Sequence, residues 1–247
     1  MKKQEVLKRV NPLFLEGIAH RGLHNEEYTE NGLKAFQNAI DHHVALELDV
    51  HLTTDNQLVV IHDSELKRVT GKEGIVEEKS VKELKDNYRL LDGEEIPTFQ
   101  EVLSLVHEQV PMVVEMKVYN KNYTPLAARL KEEMKNIKDK KNFMIISFDP
   151  RALWKMKRTG LVRQLLVAVS HEWTYMFRNT VESLDLEYTM TKEKRVQRYQ
   201  RKHLVNVWTI ETQDQLSFSL PHTDTVTFQK LSVDEVRETL HNSKKEA

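Results

Sequence analysis

The sequence predicts an α/β protein with a (β/α)8 TIM-barrel fold and a small insertion after the second strand. The chain has 247 residues, 39% of them hydrophobic, which suits one barrel-sized core. Short apolar runs alternate with longer amphipathic stretches, as in repeated βα units on a parallel sheet. The eight apolar runs predict strands at 16–20, 44–50, 111–117, 143–148, 163–169, 184–188, 204–209 and 223–228.

Helical patterns fill the intervals between these strands. Leu33, Phe36, Ala39 and Ile40 are apolar at helical spacing, and Thr29 or Asn31 is available as the helix cap. Further helices are expected near 100–109, 124–138, 150–159, 174–183, 190–202 and 211–219.

One interval is too long for a single helix. Residues 52–98 contain an extra strand at 58–62, a polar stretch, and Pro97-Thr98 directly before the next helix. We interpret this interval as an insertion subdomain after the second strand. Because no linker, low-complexity tract or internal repeat divides the chain, we expect one domain over 1–247.

The composition limits both the partners and the chemistry. With 37 basic and 38 acidic residues the formal net charge is −1, so any attraction to anions must be local. The absence of cysteine excludes disulfides, thiolate-bound zinc and a thiol nucleophile, and it fits a reducing compartment. No run approaches the ~20 apolar residues of a membrane span. We therefore expect a cytoplasmic protein with no nucleic-acid partner and no stable membrane insertion; its oligomeric state stays open.

The segment 192–202 is strongly basic, and Arg195, Arg198 and Arg201 fall on one face of the expected helix. One interpretation is a site for nucleic acid or for a lipid head group. The favoured interpretation is a solvated outer helix, because one basic helix in a neutral protein is common.

Two of the predicted strands carry acidic residues where a barrel interior would be apolar. Side chains alternate between the two faces of a strand, so Glu47 and Asp49 share a face, and so do Glu115 and Lys117. Active sites of barrels lie at the C-terminal strand ends, and carboxylates buried there need a cation or donors. Three such carboxylates indicate a hard divalent cation, Mg²⁺ or Ca²⁺. The alternative is that one of the pairs is the solvent face of an edge strand.

Two histidines end predicted strands, His20 after the first and His62 after the inserted one. Imidazole exchanges protons near neutral pH, and cations such as Arg21 and Lys117 balance phosphate charge. The combination suits phosphoryl chemistry, whereas a lone histidine at a strand end is more often structural.

These residues belong to an ordered series of motifs. The series is His20-Arg21-Gly22, Glu30-Asn31, Glu47-Leu48-Asp49-Val50, Thr53-Thr54-Asp55, Val59-Val60-Ile61-His62-Asp63, Arg68-Val69-Thr70, Ile96-Pro97-Thr98, Glu115-Met116-Lys117 and Val207-Trp208-Thr209. In this order the motifs resemble the glycerophosphodiester phosphodiesterase family over roughly residues 17–210.

The resemblance implies a metal-dependent barrel enzyme of lipid and glycerol metabolism that hydrolyses small-molecule glycerophosphodiesters to glycerol 3-phosphate and an alcohol. The roles that it implies are an acid–base pair formed by His20 and His62, metal ligands Glu47, Asp49 and Glu115, phosphate contacts from Arg21 and Lys117, and a pocket wall formed by Trp208. It also implies a two-step course, in which the glycerol 2-hydroxyl attacks and water then opens a cyclic phosphate. Which histidine is the acid, which alcohol is preferred and which metal is native stay open.

The chain departs from the family pattern at two places. The family usually has Pro-Glu-Asn-Thr where this chain has Thr29-Glu30-Asn31-Gly32, which keeps the central pair. A Thr-Asp-x-Pro signature normally ends the last strand, and the nearest register puts Phe228-Gln229-Lys230-Leu231 there. The role of this C-terminal end is therefore not predicted.

Two alternatives keep the barrel. One is a lysophospholipase D or phosphatidylinositol-phospholipase-like enzyme, which would need an apolar entrance or a membrane-docking loop. Charged residues dominate 52–98, so the sequence shows no such loop there. The other is a non-catalytic binding protein, against which the intact set of histidines, carboxylates and cations argues.

Overall fold

Eight parallel strands close into a barrel because the first strand pairs with both the second and the last. The computed structural model of this chain describes residues 2–245. In it, β1 (Ile18–Ala19) lies between β2 (Ala45–Leu52) and β9 (Thr225–Phe228). The strands that complete the circle are β4 (Met112–Met116), β5 (Phe143–Ser147), β6 (Val162–Val167), β7 (Ser183–Glu187) and β8 (Leu204–Ile210). The predicted (β/α)8 barrel is confirmed; Met1 and 246–247, which belong to the expected domain, lie outside the described residues.

Helices alternate with these strands. They are α1 (Lys3–Leu7), α2 (Leu33–Asp41), α3 (Lys67–Thr70), α4 (Val81–Asn87), α5 (Phe99–Val106), α6 (Tyr123–Glu133), α7 (Pro150–Lys155), α8 (Lys194–Gln200), α9 (Gln213–Ser219) and α10 (Val233–Lys245). The helix expected at 174–183 is wrong, because Val169–Thr180 forms 3-10 turns rich in aromatic and β-branched residues of low helix propensity. The helix expected at 190–202 is shorter, and it follows a separate 3-10 turn at Tyr188–Lys192.

The insertion after β2 has an apolar cluster of its own. Its strand β3 (Leu58–Val60) pairs antiparallel with the C-terminal half of β2, so the extra strand predicted at 58–62 is present but shorter. The cluster consists of Val59, Ile61, Leu66, Val69, Val76, Leu84, Tyr88, Leu90 and Ile96. Thr98 ends the insertion and caps α5 by accepting a hydrogen bond from Glu101 N. This arrangement holds residues 62–68 beside the C-terminal ends of the barrel strands.

The barrel interior changes from apolar to polar along its axis. Ala45, Glu47 and Asp49 alternate with outward-facing leucines on β2, so all three point inward. The apolar floor near the N-terminal strand ends consists of Val6, Val10, Phe14, Ile18, Ala45, Val113, Met144, Ile146, Val162, Leu166 and Leu204. The layers above this floor contain buried polar side chains, which lead up to the C-terminal mouth.

One of these layers contains a buried carboxyl group, that of Asp185. Asn206 Nδ2 donates to Asp185 Oδ1 at 2.7 Å and to Thr227 Oγ1 at 2.8 Å. Burial, assisted by the negative charge of Glu115, raises the pKa of Asp185 from 3.8 to about 8. The folded state therefore keeps a proton here that the unfolded chain has already lost. The favourable contribution of this protonated carboxyl group to the free energy of unfolding is complete below the unfolded pKa of 3.8. It is lost as the pH rises toward the folded pKa of about 8.

We predict that Asp185→Asn removes this pH dependence, because an amide keeps the acceptor for Asn206 but cannot ionise. Between about pH 5 and 8, the free energy of unfolding of the variant should gain on the wild type by on the order of 1 kcal/mol per pH unit. Urea unfolding at several pH values measures the difference. The matched control is Asp86→Asn at an exposed pair, and parallel curves for Asp185→Asn and wild type would contradict the prediction.

Candidate active site

Three carboxylates meet inside the C-terminal mouth of the barrel. Glu47 and Asp49 come from β2 and Glu115 from β4, where Asp49 and Glu115 are register partners. All three are buried, and ligand oxygens from each lie within 4.8 Å of one another. The structure thus brings together the acidic residues that the sequence placed on two strand faces.

This cluster fits a divalent cation. Asp49 Oδ1 is buried and accepts no hydrogen bond. Burial and the charges of Asp49 and Glu115 raise the pKa of Glu47 well above its usual value, and burial raises that of Glu115 to about 7. Three acidic side chains packed this closely disfavour one another's ionised forms, and a cation among their oxygens would relieve that repulsion. Glu47, Asp49 and Glu115 are the residues that could hold Mg²⁺ or Ca²⁺.

Asn31 positions the carboxylate of Asp49. Its side chain donates to Asp49 Oδ2 at 2.9 Å and accepts from Asp49 N at 3.3 Å. The expected capping role of Thr29 or Asn31 is wrong, because Gly32 is the N-cap of α2 and Asn31 points into the mouth. Its backbone has φ +59°, which asparagine tolerates better than most residues. Sequence reasoning had noted the Glu30-Asn31 motif but not this role.

Two cations flank the carboxylates. Lys117 Nζ lies 3.1 Å from Glu115 Oε1 and 3.5 Å from Asp49 Oδ1. The backbone N–H of Arg21 donates to Glu47 Oε2 at 2.9 Å. Its Nη1 donates to Glu30, and its buried Nε lies 3.7 Å from Asp49 Oδ2, which is an ion pair without a hydrogen bond. Two cations beside the mouth suit an anionic oxygen of a ligand.

His20 contacts a neutral side chain that was not predicted to matter. Its Nδ1 lies 2.7 Å from Gln229 Oε1, and Gln229 Nε2 donates to the carboxylate of Glu211. Lys230 lowers the pKa of Glu211, so this carboxylate is ionised and only accepts. The amide oxygen of Gln229 must then face His20, which fixes the proton on Nδ1 and leaves the lone pair on Nε2. Burial and the nearby Arg21 lower the pKa of His20 to about 4, so the ring is neutral at pH 7.

His62 contacts a carboxylate instead. Its Nδ1 lies 2.6 Å from Asp63 Oδ1, and Arg68 joins Asp63 to Glu30 through hydrogen bonds to both. His51 Nε2 donates to the carbonyl oxygen of His62 at 3.0 Å. Burial lowers the pKa of His62, while Asp49 and Asp63 oppose that effect. Sequence reasoning missed His51, whose signal was its position on the same face of β2 as Glu47 and Asp49.

An open groove of about 1410 Å³ leads away from the mouth. It begins at His62, Glu115 and Lys117 and continues between α7 and the Val169–Thr180 segment. The apolar side chains of its lining are those of Met116, Val118, Phe148, Trp154, Trp173 and Phe177, and the charged Lys121, Arg151 and Lys155 also line it.

The predicted pocket residue Trp208 supports this groove. Its ring packs edge-to-face on Phe148, with 5.7 Å between ring centroids. Its Nε1 donates to the carbonyl oxygen of Asp185 at 3.2 Å. An apolar entrance was considered only within 52–98. The apolar side chains that line the groove come mainly from the segments that follow β5 and β6.

The chain belongs to the glycerophosphoryl diester phosphodiesterase family, whose model matches residues 20–236. A glycerophosphodiester phosphodiesterase from Bacillus altitudinis is 32% identical over 140 residues, which cover 53% of this chain and 57% of that protein. A lysophospholipase D from Rattus norvegicus is 46% identical over 71 residues, 28% of this chain and 20% of that protein. The chain thus matches less than two thirds of the length of these relatives.

Solved structures share the fold. A phosphodiesterase from Oleispira antarctica, in complex with the product sn-glycerol-3-phosphate, superimposes with a TM-score of 0.76 at 22% identity. The superposition covers 92% of this chain and 96% of the other. This similarity establishes the barrel architecture, and the family match establishes the family.

We predict that Glu115→Gln weakens Mg²⁺ or Ca²⁺ binding by at least about 10-fold, because an amide oxygen cannot supply the charge that a hard cation needs. In the wild type, binding should also strengthen as the pH rises through about 7, since the cation must displace the proton of Glu115. Titration calorimetry after chelation measures both effects. The exposed Glu132→Gln is the matched control, and unchanged affinity in Glu115→Gln would exclude this site.

Proposed function

We propose that this protein hydrolyses glycerophosphodiesters to glycerol 3-phosphate and an alcohol, using a divalent cation and two histidines. The observation that carries the proposal is the carboxylate cluster with two histidines beside it, one directly after β1 and one from the insertion. Barrel enzymes place their reacting groups at this face. The family membership supports the same reaction class.

Different residues of the mouth would bind the cation and the phosphodiester. Glu47, Asp49 and Glu115 would hold the cation, which would supply Lewis-acid activation of the phosphodiester when bound. Arg21 and Lys117 neutralise the negative charge of the phosphodiester.

The different partners of the two histidines assign their roles in this proposal. His20 is neutral, with its lone pair on Nε2, so it takes the proton of the glycerol 2-hydroxyl as that oxygen attacks phosphorus. His62 gives the proton to the leaving alcohol from its protonated form, which the carboxylate of Asp63 favours although burial lowers the pKa of the ring. Water then opens the cyclic phosphate with the two roles reversed. Attack by a neighbouring hydroxyl has a large effective-concentration advantage over attack by water.

A second candidate activity is that of a lysophospholipase D. The apolar groove favours it, because Phe148, Trp154 and Phe177 offer walls for an acyl chain that glycerophosphocholine lacks. Comparing kcat/KM for lysophosphatidylcholine and glycerophosphocholine separates the candidates. A preference for the lysolipid would make this the main activity.

We predict that His20→Ala and His62→Ala each lower the turnover of glycerophosphocholine by on the order of 10²–10⁴-fold, the usual contribution of a positioned acid or base. Cation binding by calorimetry should persist, because neither ring is among the three ligands. A chelator should abolish wild-type turnover. The exposed His241→Ala is the control. Near-normal turnover of either active-site variant would return that histidine to a structural role.

We predict that Gln229→Glu changes the pH profile of kcat/KM in a definite direction. A carboxylate next to His20 Nδ1 stabilises the imidazolium, so the pKa of His20 rises and the acidic limb moves to higher pH. Glu211→Gln should instead lower the rate without a large shift, because Gln229 is then free to turn its amide group. An unchanged acidic limb in Gln229→Glu would show that His20 is not the titrating base.

A further inference from the structure

The charges of this chain are distributed unevenly along the sequence. Residues 150–202, from the start of α7 to just past α8, contain 12 basic and 5 acidic residues, a net charge of +7. The remaining residues contain 25 basic and 33 acidic residues, a net charge of −8. The nearly neutral total therefore conceals a cationic flank between β5 and β8.

The same flank carries most of the exposed large apolar side chains. Trp154, Val169, Trp173 and Met176 expose 56%, 57%, 58% and 69% of their surface. Among the described residues, the remaining exposed large apolar side chain is Leu91, which belongs to the insertion. A cluster of this kind on one side of a molecule marks a contact surface.

A second depression, of about 840 Å³, is lined both by basic side chains and by exposed apolar side chains of this flank. It lies between the Val169–Thr180 segment and α8, and Trp173 lines both this depression and the groove of the active site. The other lining residues that matter here are Met176, Arg178, Arg195, Arg198 and Lys202.

The positive charge in this depression is only partly neutralised. Arg195 pairs with Glu172 and Glu193, and the guanidinium groups of Arg178 and Arg195 lie within 4.8 Å of the Tyr175 ring centroid. Arg198 and Lys202 are exposed, and neither forms an ion pair with a described carboxylate.

We infer that this flank docks on an anionic lipid surface. Tryptophan, methionine and valine enter the apolar part of a lipid interface, while arginine and lysine contact anionic head groups. A nucleic acid would account for the cations but leave the exposed Met176 and Val169 without a role. No helix within residues 2–245 is long and apolar enough to cross a bilayer, so the contact is peripheral. The inference does not depend on the proposed chemistry.

Sedimentation with vesicles tests this inference directly. The wild type should sediment with vesicles of phosphatidylcholine and phosphatidylglycerol at low salt and stay in solution with phosphatidylcholine alone. Arg198→Glu/Lys202→Glu should weaken binding at least about 10-fold, because each basic residue near an anionic leaflet contributes about 1 kcal/mol. Trp173→Ser/Met176→Ser should weaken it as well, since these side chains supply the apolar contact.

Matched controls separate the flank from general charge and hydrophobicity. Lys34→Glu/Lys82→Glu reverses two exposed lysines outside 150–202, and Leu91→Ser removes an exposed apolar side chain there; both should bind like wild type. Thermal unfolding verifies that each variant is folded. Absence of wild-type binding, or equal loss in the Lys34/Lys82 control, overturns the inference.

Two further outcomes identify a different partner and also overturn it. One is a dimer in sedimentation velocity that Trp173→Ser/Met176→Ser abolishes, together with no vesicle binding. The other is binding to duplex DNA that depends on Arg198 and Lys202 but not on Trp173, again without vesicle binding.

Discussion

The constraint on which the site depends is the burial of three carboxylates within 4.8 Å of one another. Like charges at this separation in a low-dielectric interior repel strongly. The barrel meets this constraint with Lys117, Arg21 and the amide of Asn31, yet Asp49 Oδ1 remains without a hydrogen bond. Binding a cation in the mouth would relieve this unfavourable arrangement, and it would link folding stability and cation affinity through the same atoms.

The insertion is joined to the mouth by charge as well as by its own apolar cluster. Glu30 receives hydrogen bonds from Arg21 and Arg68, and these lower its pKa to about 2 although burial alone would raise it. Arg68 also contacts Asp63, the partner of His62. His20 lies in the barrel and His62 in the insertion. This ion-pair network therefore fixes the insertion relative to the barrel.

The barrel, the extra strand and the family could be predicted because apolar runs and the order of motifs along the chain can be read directly from the sequence. It also placed Glu47, Asp49 and Glu115 on inward faces, which requires only the alternation of side chains along a strand. It could not predict that Gln229 and Glu211, distant from His20 in sequence, fix its tautomer, because that follows from the closure of the barrel. The 3-10 turns at Val169–Thr180 were missed for a different reason, because the helical pattern was given more weight than the low helix propensity of the aromatic and β-branched residues there.

The separation of a net +7 on one flank from a net −8 on the rest gives the molecule a permanent dipole moment. In the field of a negatively charged surface, such a dipole experiences a torque that turns residues 150–202 toward the surface before any atoms touch. This torque acts over roughly one Debye length, about 8 Å at physiological ionic strength, and added salt shortens this distance. The groove of the active site opens on this same flank. Encounters would therefore be biased toward orientations in which the outer end of the groove faces the charged surface.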